Sequence, residues 1–451
     1  MTANANHQLQ PTNCLILGLG QTGLSCAKFL VQHYVDVAVM DTRDLPPSLA
    51  ELQQYYPEVV VKTGGLDLAW MKQADMIVLS PGIDPRLPEI VAAREAGVEM
   101  VGDIELFARY ANAPIVAITG SNGKSTVTTL LAEMAEAADK VIRVGGNLGT
   151  PALDLITEPA PDFYIVELSS FQLETVKTLN AFAAAILNVS PDHLDRYDSI
   201  EDYQQAKARI FNGDGVMVIN REDAVVNELS QMGRNQIGFS LHATEGVDFG
   251  LIEQDGQQWL VEGEQTLLAV DDMKIVGKHN VANALAALAL GSAMALPMTA
   301  MLSALRTYKG LPHRCRLVDE INDVRWFNDS KATNVGATIA AIEGLAELGQ
   351  LTLLAGGVAK DQDFSPLTTV LEKHIKTVVL FGQDAAQIEK AIPDTITTLH
   401  AASLEQAVKM ADEQAVTGES VLLSPACASF DMFDGYVQRG NAFEQAVQEL
   451  K

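Results

Sequence analysis

An α/β chain of three domains is what this sequence predicts, on three observations. Short apolar runs alternate with amphipathic stretches along most of the 451 residues, the pattern of parallel strands joined by crossover helices. The runs fall into three series, which place the expected domains at 1–102, 103–310 and 311–451. Two glycine-rich turns sit directly after apolar runs, one opening the first series and one opening the second.

In the first series CLILGLG, DVAVMDT, EVVVKTG, DMIVLSPG and VEMVGD read as strands, with helical stretches between several of them. The second begins at PIVAITG and continues through KVIRVGG, FYIVELSS, AAAILNV and GVMVIN, then short β-like pieces up to about residue 270. An uncharged run from Ala284 to Leu305 follows. Gly291, Ser292, Pro297 and Thr299 interrupt it, which suits two buried helices meeting near Pro297 better than a membrane span. The third series holds RLVDEI, VRWFND, LTLLAGG, TVVLFG and SVLLSPA.

With 31 basic and 58 acidic side chains the formal charge is −27, a field that repels nucleic acid and anionic membranes. Any bound phosphate must therefore be held by local groups. Cys14, Cys26, Cys315 and Cys427 lack metal-ligand spacing and read as reduced core residues. The opening MTANANHQLQPTN lacks the layout of a secretory signal, so a cytoplasmic protein is expected.

GLGQTG, with Gly18, Gly20 and Gly23, matches G-x-G-x-x-G, and Asp41 ends the next strand. This Rossmann-like arrangement suits a diphosphate at a helix N-terminus and a ribose beside the carboxylate. NAD is the default ligand, any nucleotide diphosphate would serve, and a ligand-free tight turn is the plain alternative. AITGSNGKST has only Ser121 and Asn122 between Gly120 and Gly123, two residues fewer than the familiar phosphate loop. Yet Val127, Leu130, Leu131, Met134 and Ala138 recur at one-face helical spacing behind it. Gly123 to Thr126 then form a helix N-terminus where backbone N–H groups, the Lys124 ammonium and a hydroxyl for Mg²⁺ converge on a triphosphate. A magnesium site needs a further acid, and Glu167 at the end of FYIVE supplies one.

His193 lies between Asp192 and Asp195, where an imidazole could ligate a cation, act as a base, or be plain surface. Lys207, in DYQQAKARIF, reads as a solvated lysine. In the last third, Arg314, Asp329, Ser330, Lys331, Thr333 and Ser429 cluster at strand edges, where α/β sheets place their sites.

These motifs together resemble the Mur ligases, ATP-dependent amide-forming enzymes of peptidoglycan synthesis. The likeness runs from GLGQTG through VGDIELF, TGSNGKST, VELSSFQLE, LNVSPDHLDRY, GKHNVANALAAL, GLPHRCRLV and NDSKATNVGAT to SPACASFDMF. It implies a Rossmann-like N-terminal domain, a P-loop-type central ATPase domain and a Rossmann-like C-terminal domain. It further implies a monomer whose substrates are UDP-N-acetylmuramoyl-L-alanine and D-glutamate, joined through an acyl phosphate.

Carried over residue by residue, the resemblance implies uridine diphosphate contacts from Gly18, Gln21, Thr22, Asp41, Thr42, Arg43 and Gly82, so the first glycine turn serves UDP. Asn147 and Gln172 meet that substrate near its reacting end. ATP is expected at Gly120 to Thr126 (Gly120, Ser121, Asn122, Gly123, Lys124, Ser125, Thr126), Asn283, Arg314 and Asp329. Two Mg²⁺ ions are expected on Ser125, Glu167, His193 and a carbamylated Lys207. Lys331, Thr333, Lys360, Ser429, Phe430 and Tyr436 are expected to bind D-glutamate or the acyl phosphate. Lys124, Asn147, His193, Lys207 and Lys360 are the expected catalytic set. One departure is Val358 in GGVAK, where related sequences often carry an acid or glycine.

Two rival functions make different demands. A nicotinamide-dependent oxidoreductase would use Gly18, Gly20, Gly23 and Asp41 but leaves the second glycine loop and Glu167 without a role. A nucleotide-switched binding protein would turn over ATP slowly, whatever amine is offered.

Overall fold

Residues 12–33, 35–192, 196–242, 248–359 and 362–451 are described by the structure, a computed structural model. The first sheet has the order β3-β2-β1-β4-β5, from β1 (Asn13–Leu17), β2 (Asp36–Met40), β3 (Val60–Lys62), β4 (Met76–Leu79) and β5 (Glu99–Gly102). All of its pairings are parallel. The order reverses between β1 and β4, and such a reversal opens a crevice at the carboxyl ends of the strands.

Nine strands make the second sheet: β6 (Ile115–Thr119), β7 (Ile142–Gly146), β8 (Phe163–Glu167), β9 (Ala183–Ile186), β10 (Val216–Asn220), β11 (Gln236–Phe239), β12 (Phe249–Gln254), β13 (Gln257–Glu262) and β14 (Gln265–Ala269). Their order is β14-β13-β12-β11-β10-β9-β6-β8-β7. Strand β6 thus lies between β8 and β9, and its exit loop is flanked by theirs. The third sheet, ordered β15-β16-β20-β17-β18-β19, contains β15 (Arg316–Ile321), β16 (Val324–Asn328), β17 (Leu351–Gly356), β18 (Ile375–Phe381), β19 (Thr397–His400) and β20 (Ser420–Leu423). Here the exits of β16, β20 and β17 are neighbours.

Every apolar run read as a strand is one, and β19 was not anticipated. Four residues long at the sheet edge, TTLH is no more than half-buried, so it carries little apolar signal. The Ala-rich run forms two helices, Lys278–Ala293 and Met298–Thr307, with Pro297 capping the second. Among the described residues no helix is long and apolar enough to cross a membrane.

Apolar residues cover both faces of the sheets, as parallel strands require. One continuous cluster, running from Cys14 to Val226, joins the first sheet to one face of the second. The opposite face of the second sheet packs against the helix Lys124–Ala137 and the two Ala-rich helices. Val127, Leu130, Leu131 and Met134 are wholly buried there, and each contributes about 1.5–3 kcal/mol by burial. That packing fixes the N-terminus of the helix against the sheet. All four cysteines are buried and unpaired with one another.

The first glycine turn is fixed by backbone contact. A Cβ on Gly23 would sit 1.9 Å from the Gly18 carbonyl oxygen, and Gly18 has φ +92°. Replacing Gly23 by alanine must push the helix Gln21–Gln32 off β1. We expect Gly23→Ala to cost about 1–3 kcal/mol of stability in denaturant unfolding; a neutral result would mean the turn relaxes without strain.

Candidate active site

Gly120, at φ +154°, carries the chain out of β6, and Gly123, at φ +84°, caps the helix Lys124–Ala137. A Cβ on Gly123 would lie 2.4 Å from Asn283 Oδ1, so the loop and the helix Lys278–Ala293 meet at van der Waals distance. The loop is held by the exit of β9. Ser121 N donates to Asn188 O (2.9 Å) and Asn122 N to Asn188 Oδ1 (2.8 Å). Ser121 Oγ is shared with Ser190 O and Tyr203 Oη, each at 2.9 Å. Lys124 Nζ folds over the turn and donates to the carbonyls of Gly120 (2.8 Å) and Ser121 (2.9 Å).

Ser125 is the crossing point of the site. Its Oγ donates to Glu167 Oε2 at 2.5 Å and accepts from Arg314 Nη2 at 2.7 Å. The other Glu167 oxygen accepts from Asn147 Nδ2 at 2.7 Å. Ser125 and Glu167 are 3% and 2% exposed, so these bonds operate with little competition from water. One hydroxyl, one carboxylate and one guanidinium therefore converge from β6, β8 and the start of the third domain.

Lysine 207 is not solvated as its sequence context suggested; it is 2% exposed. Its Nζ donates to the Gly120 carbonyl at 3.1 Å and lies 4.5 Å from the centre of the Tyr203 ring. Burial, and then the Lys124 charge, hold its pKa well below the usual lysine range, against opposing pulls from Asp192 and Glu167. Burial also lowers the Lys124 pKa; Glu167 and Asp192 oppose this, while Arg314 adds to it. A signal for Lys207 existed: Tyr203, Lys207 and Ile210 lie at i, i+4 and i+7, and all three are buried.

The donor set fits magnesium. Among the described residues no group of three or more His, Cys, Asp or Glu side chains gathers. Ser125 and Glu167 supply hard oxygen donors, and Mg²⁺ commonly takes only one or two protein ligands beside waters and substrate phosphates. His193 lies outside the described residues, as does Lys360.

Elsewhere the expected contacts divide. In the first domain Gly18 and the β4 exit are tied by Ser80 Oγ donating to Gly18 O at 2.9 Å, and Gln21, Thr42 and Gly82 are exposed, with Thr22 half-buried. Asp41 is fully buried. Its carboxylate accepts from Leu19 N (2.6 Å), Arg43 N (2.8 Å), Arg43 Nε (2.8 Å) and Arg43 Nη2 (2.6 Å). Four donors already fill the acceptor positions that a nicotinamide cofactor's ribose would need, and the Arg43 side chain that supplies two of them is half-exposed. Gln172 is likewise occupied: it closes a capping box with Ser169 and donates to Asp103 Oδ2 at 2.8 Å.

In the third domain Lys331 Nζ sits 4.1 Å from the Tyr436 ring centre. Thr333 is half-buried, Ser429 is buried and Phe430 is exposed. Val358 and Ala428 form an antiparallel bridge, N–H to carbonyl at 2.8 and 3.0 Å, so the departure at Val358 leaves the GGVAK loop tied through its main chain. Asp329 is turned inward, accepting from Cys315 N (3.0 Å) and Ser424 Oγ (2.8 Å). It anchors the strand that follows Arg314. Residues that sequence reasoning missed include Asn188, Ser190, Tyr203 and Arg439, whose roles depend on long-range contacts.

Three family models match the chain in order. They are the N-terminal domain of MurD-like Mur ligases over residues 12–102, the Mur ligase middle domain over 118–291 and the Mur ligase glutamate ligase domain over 313–427. The chain belongs to the Mur ligase family. It is 52% identical over 448 residues to a protein of Nitrosococcus oceani named UDP-N-acetylmuramoylalanine--D-glutamate ligase, with 99% of each chain covered. A Pseudomonas aeruginosa protein of the same name is 51% identical over 438 residues, covering 97% of this chain and 98% of that one. Among solved structures, a UDP-N-acetylmuramate-alanine ligase from Thermotoga maritima matches with a TM-score of 0.59 at 17% identity, covering 97% of this chain and all (100%) of the other. A pseudomurein peptide ligase type C from Methanothermus fervidus matches with 0.58 at 17% identity, covering 98% and 100%. At that identity the structural matches speak for the fold.

Burial raises the Asp329 carboxyl from its ordinary 3.8 to about 7, against hydrogen bonds from Ser424 and Cys315 and the charges of Arg314 and Arg439. Because the folded pKa lies above the unfolded one, its contribution to stability is complete below about pH 4 and is lost as pH rises toward 7. Denaturant unfolding across that window should show wild type losing about 1 kcal/mol per pH unit relative to Asp329→Asn. Parallel curves would assign the proton elsewhere.

Proposed function

We propose that this chain joins D-glutamate to UDP-N-acetylmuramoyl-L-alanine using ATP, in the synthesis of peptidoglycan precursors. The ATP chemistry rests on one observation above all, the convergence of Lys124, Ser125 and Glu167 at a helix N-terminus beneath Arg314. The substrates come from full-length relatives sharing half of its residues.

A free carboxylate resists amide formation because it is a poor electrophile and hydroxide is a poor leaving group. Attack by the alanyl carboxylate on the γ-phosphorus of ATP forms a C–O–P linkage and releases ADP. The D-glutamate amine then attacks the acyl carbon through a tetrahedral intermediate; the C–O bond breaks, inorganic phosphate leaves, and the nitrogen loses a proton. Backbone N–H groups of the loop and the Lys124 ammonium offset phosphate charge, and Arg314 brings a second cation from the neighbouring domain. Magnesium, when bound, neutralises phosphate oxygens as a Lewis acid. Ser125 and Glu167 would hold one ion, and His193 with a carbamylated Lys207 would hold the second.

Burial and the adjacent Lys124 charge favour Lys207 as a neutral amine, the form that adds CO₂. Addition forms the N–C bond and releases one proton, leaving a carbamate anion that the adjacent Lys124 ammonium attracts. We assign UDP binding to residues 1–102, ATP binding to 103–310 and amino-acid binding to 311–451, in a cytoplasmic monomer. Lys331, Thr333, Lys360, Ser429, Phe430 and Tyr436 would receive D-glutamate. Gln21, Thr22, Thr42, Arg43 and Gly82 would line the UDP end.

ADP release in the presence of the UDP-sugar should require D-glutamate and not respond to L-glutamate, L-alanine or diaminopimelate. Lys124→Ala should lower the rate about 100-fold or more; undiminished ligation would overturn the phosphate-loop assignment. In a second test, activity lost by a protein depleted of CO₂ should return with bicarbonate in wild type, whereas Lys207→Ala stays inactive. Recovery in the alanine variant would exclude the carbamate.

A further inference from the structure

Arg439 lies in the helix Tyr436–Gln448 and is 0% exposed. No ion pair between it and a carboxylate is present among the described residues. Instead, its Nε donates to Ser330 Oγ (3.0 Å), its Nη2 to Ser330 O (2.8 Å) and Cys427 O (3.1 Å), and its Nη1 to Gly356 O (3.3 Å). Those acceptors belong to the exits of β16, β20 and β17, the three adjacent loops of the third sheet.

Ser330 Oγ in turn donates to Tyr436 O at 2.8 Å, which closes the network on the first residue of the same helix. Gly440 lets that helix press inward, since a Cβ there would lie 2.2 Å from His313 Nδ1, next to Arg314. Burial pushes the guanidinium down to about 10, partly offset by Cys427, Asp431 and Asp329. An arginine buried against carbonyls costs more than an apolar side chain would. Its planar fork, however, can span three loops at once, which neither lysine nor an apolar residue can do.

We propose that Arg439 is a positioning residue for the amino-acid subsite. One guanidinium sets the spacing between the loop carrying Lys331 and Thr333, the loop of Val358, and the loop carrying Ser429 and Phe430. This rests on the reading that these loops receive D-glutamate.

Steady-state kinetics of Arg439→Met, Arg439→Lys and Ser330→Ala test it. In Arg439→Met the KM for D-glutamate should rise at least ten-fold while the KM values for ATP and the UDP-sugar stay within two-fold. Arg439→Lys should recover part of the loss, and Ser330→Ala combined with Arg439→Lys should be less than additive. A folded Arg439→Met enzyme with an unchanged D-glutamate KM, or a parallel rise in all three constants, overturns the proposal. If Arg439→Met does not fold, the other two variants decide by the same criterion. Wild-type ADP release indifferent to D-glutamate would defeat the functional reading instead. Amide exchange at Ser330 and Ala428 then still tests the tie: it should quicken in Arg439→Lys, and unchanged exchange overturns it.

Discussion

One oxygen atom links the two larger sheets at the phosphate loop. Ser125 Oγ accepts from Arg314 and donates to Glu167, so a helix start, a strand end and the next domain are fixed by a single buried hydroxyl. Leaving such a group unsatisfied costs about 1–3 kcal/mol, which favours arrangements that keep all three together. The packing of Val127, Leu130, Leu131 and Met134 beneath the helix matters for the same reason, because it decides where that hydroxyl sits. Asn147 completes the arrangement by engaging the second carboxylate oxygen.

Charge is managed locally against an unfavourable whole. A molecule of net charge −27 repels anionic substrates at long range, yet the Lys124 ammonium is held half-buried over the Gly120 carbonyl, which the Lys207 amine also engages. Arg314 approaches from the other side. Screening by solvent is weak at buried sites, so a few cations there outweigh a diffuse acidic surface. Asp41 shows the opposite balance: its carboxylate is fully engaged by Arg43 and the Leu19 amide, so the pair adds no net charge beside the first glycine turn. Chemistry on the first turn alone, as an oxidoreductase would require, leaves the second and third sheets without a purpose.

Much of the fold was legible because parallel strands buried on both faces are continuous apolar runs. The exception, β19, is short, polar in three of its four residues and at an edge. The phosphate loop and Glu167 were legible from their position after strands. Lys207 was misread from composition because the helix around it is rich in polar residues, and only the Tyr203 and Ile210 spacing betrays its buried face. Arg439 was missed for a similar reason, although Phe443 and Val447 follow at i+4 and i+8 and are equally buried. Asn188 and Ser190 could not be read at all: they brace the phosphate loop across more than sixty residues of sequence, where spacing carries no information.

The bridge between Val358 and Ala428 consists of peptide groups alone. Hydrogen bonds of this kind are indifferent to what projects from either Cα, provided the chain can adopt an extended conformation there. Residue 358 is therefore free to drift among side chains while the two loops keep their separation. Valine at that position is compatible with the bridge, and any effect it has must come from its side chain.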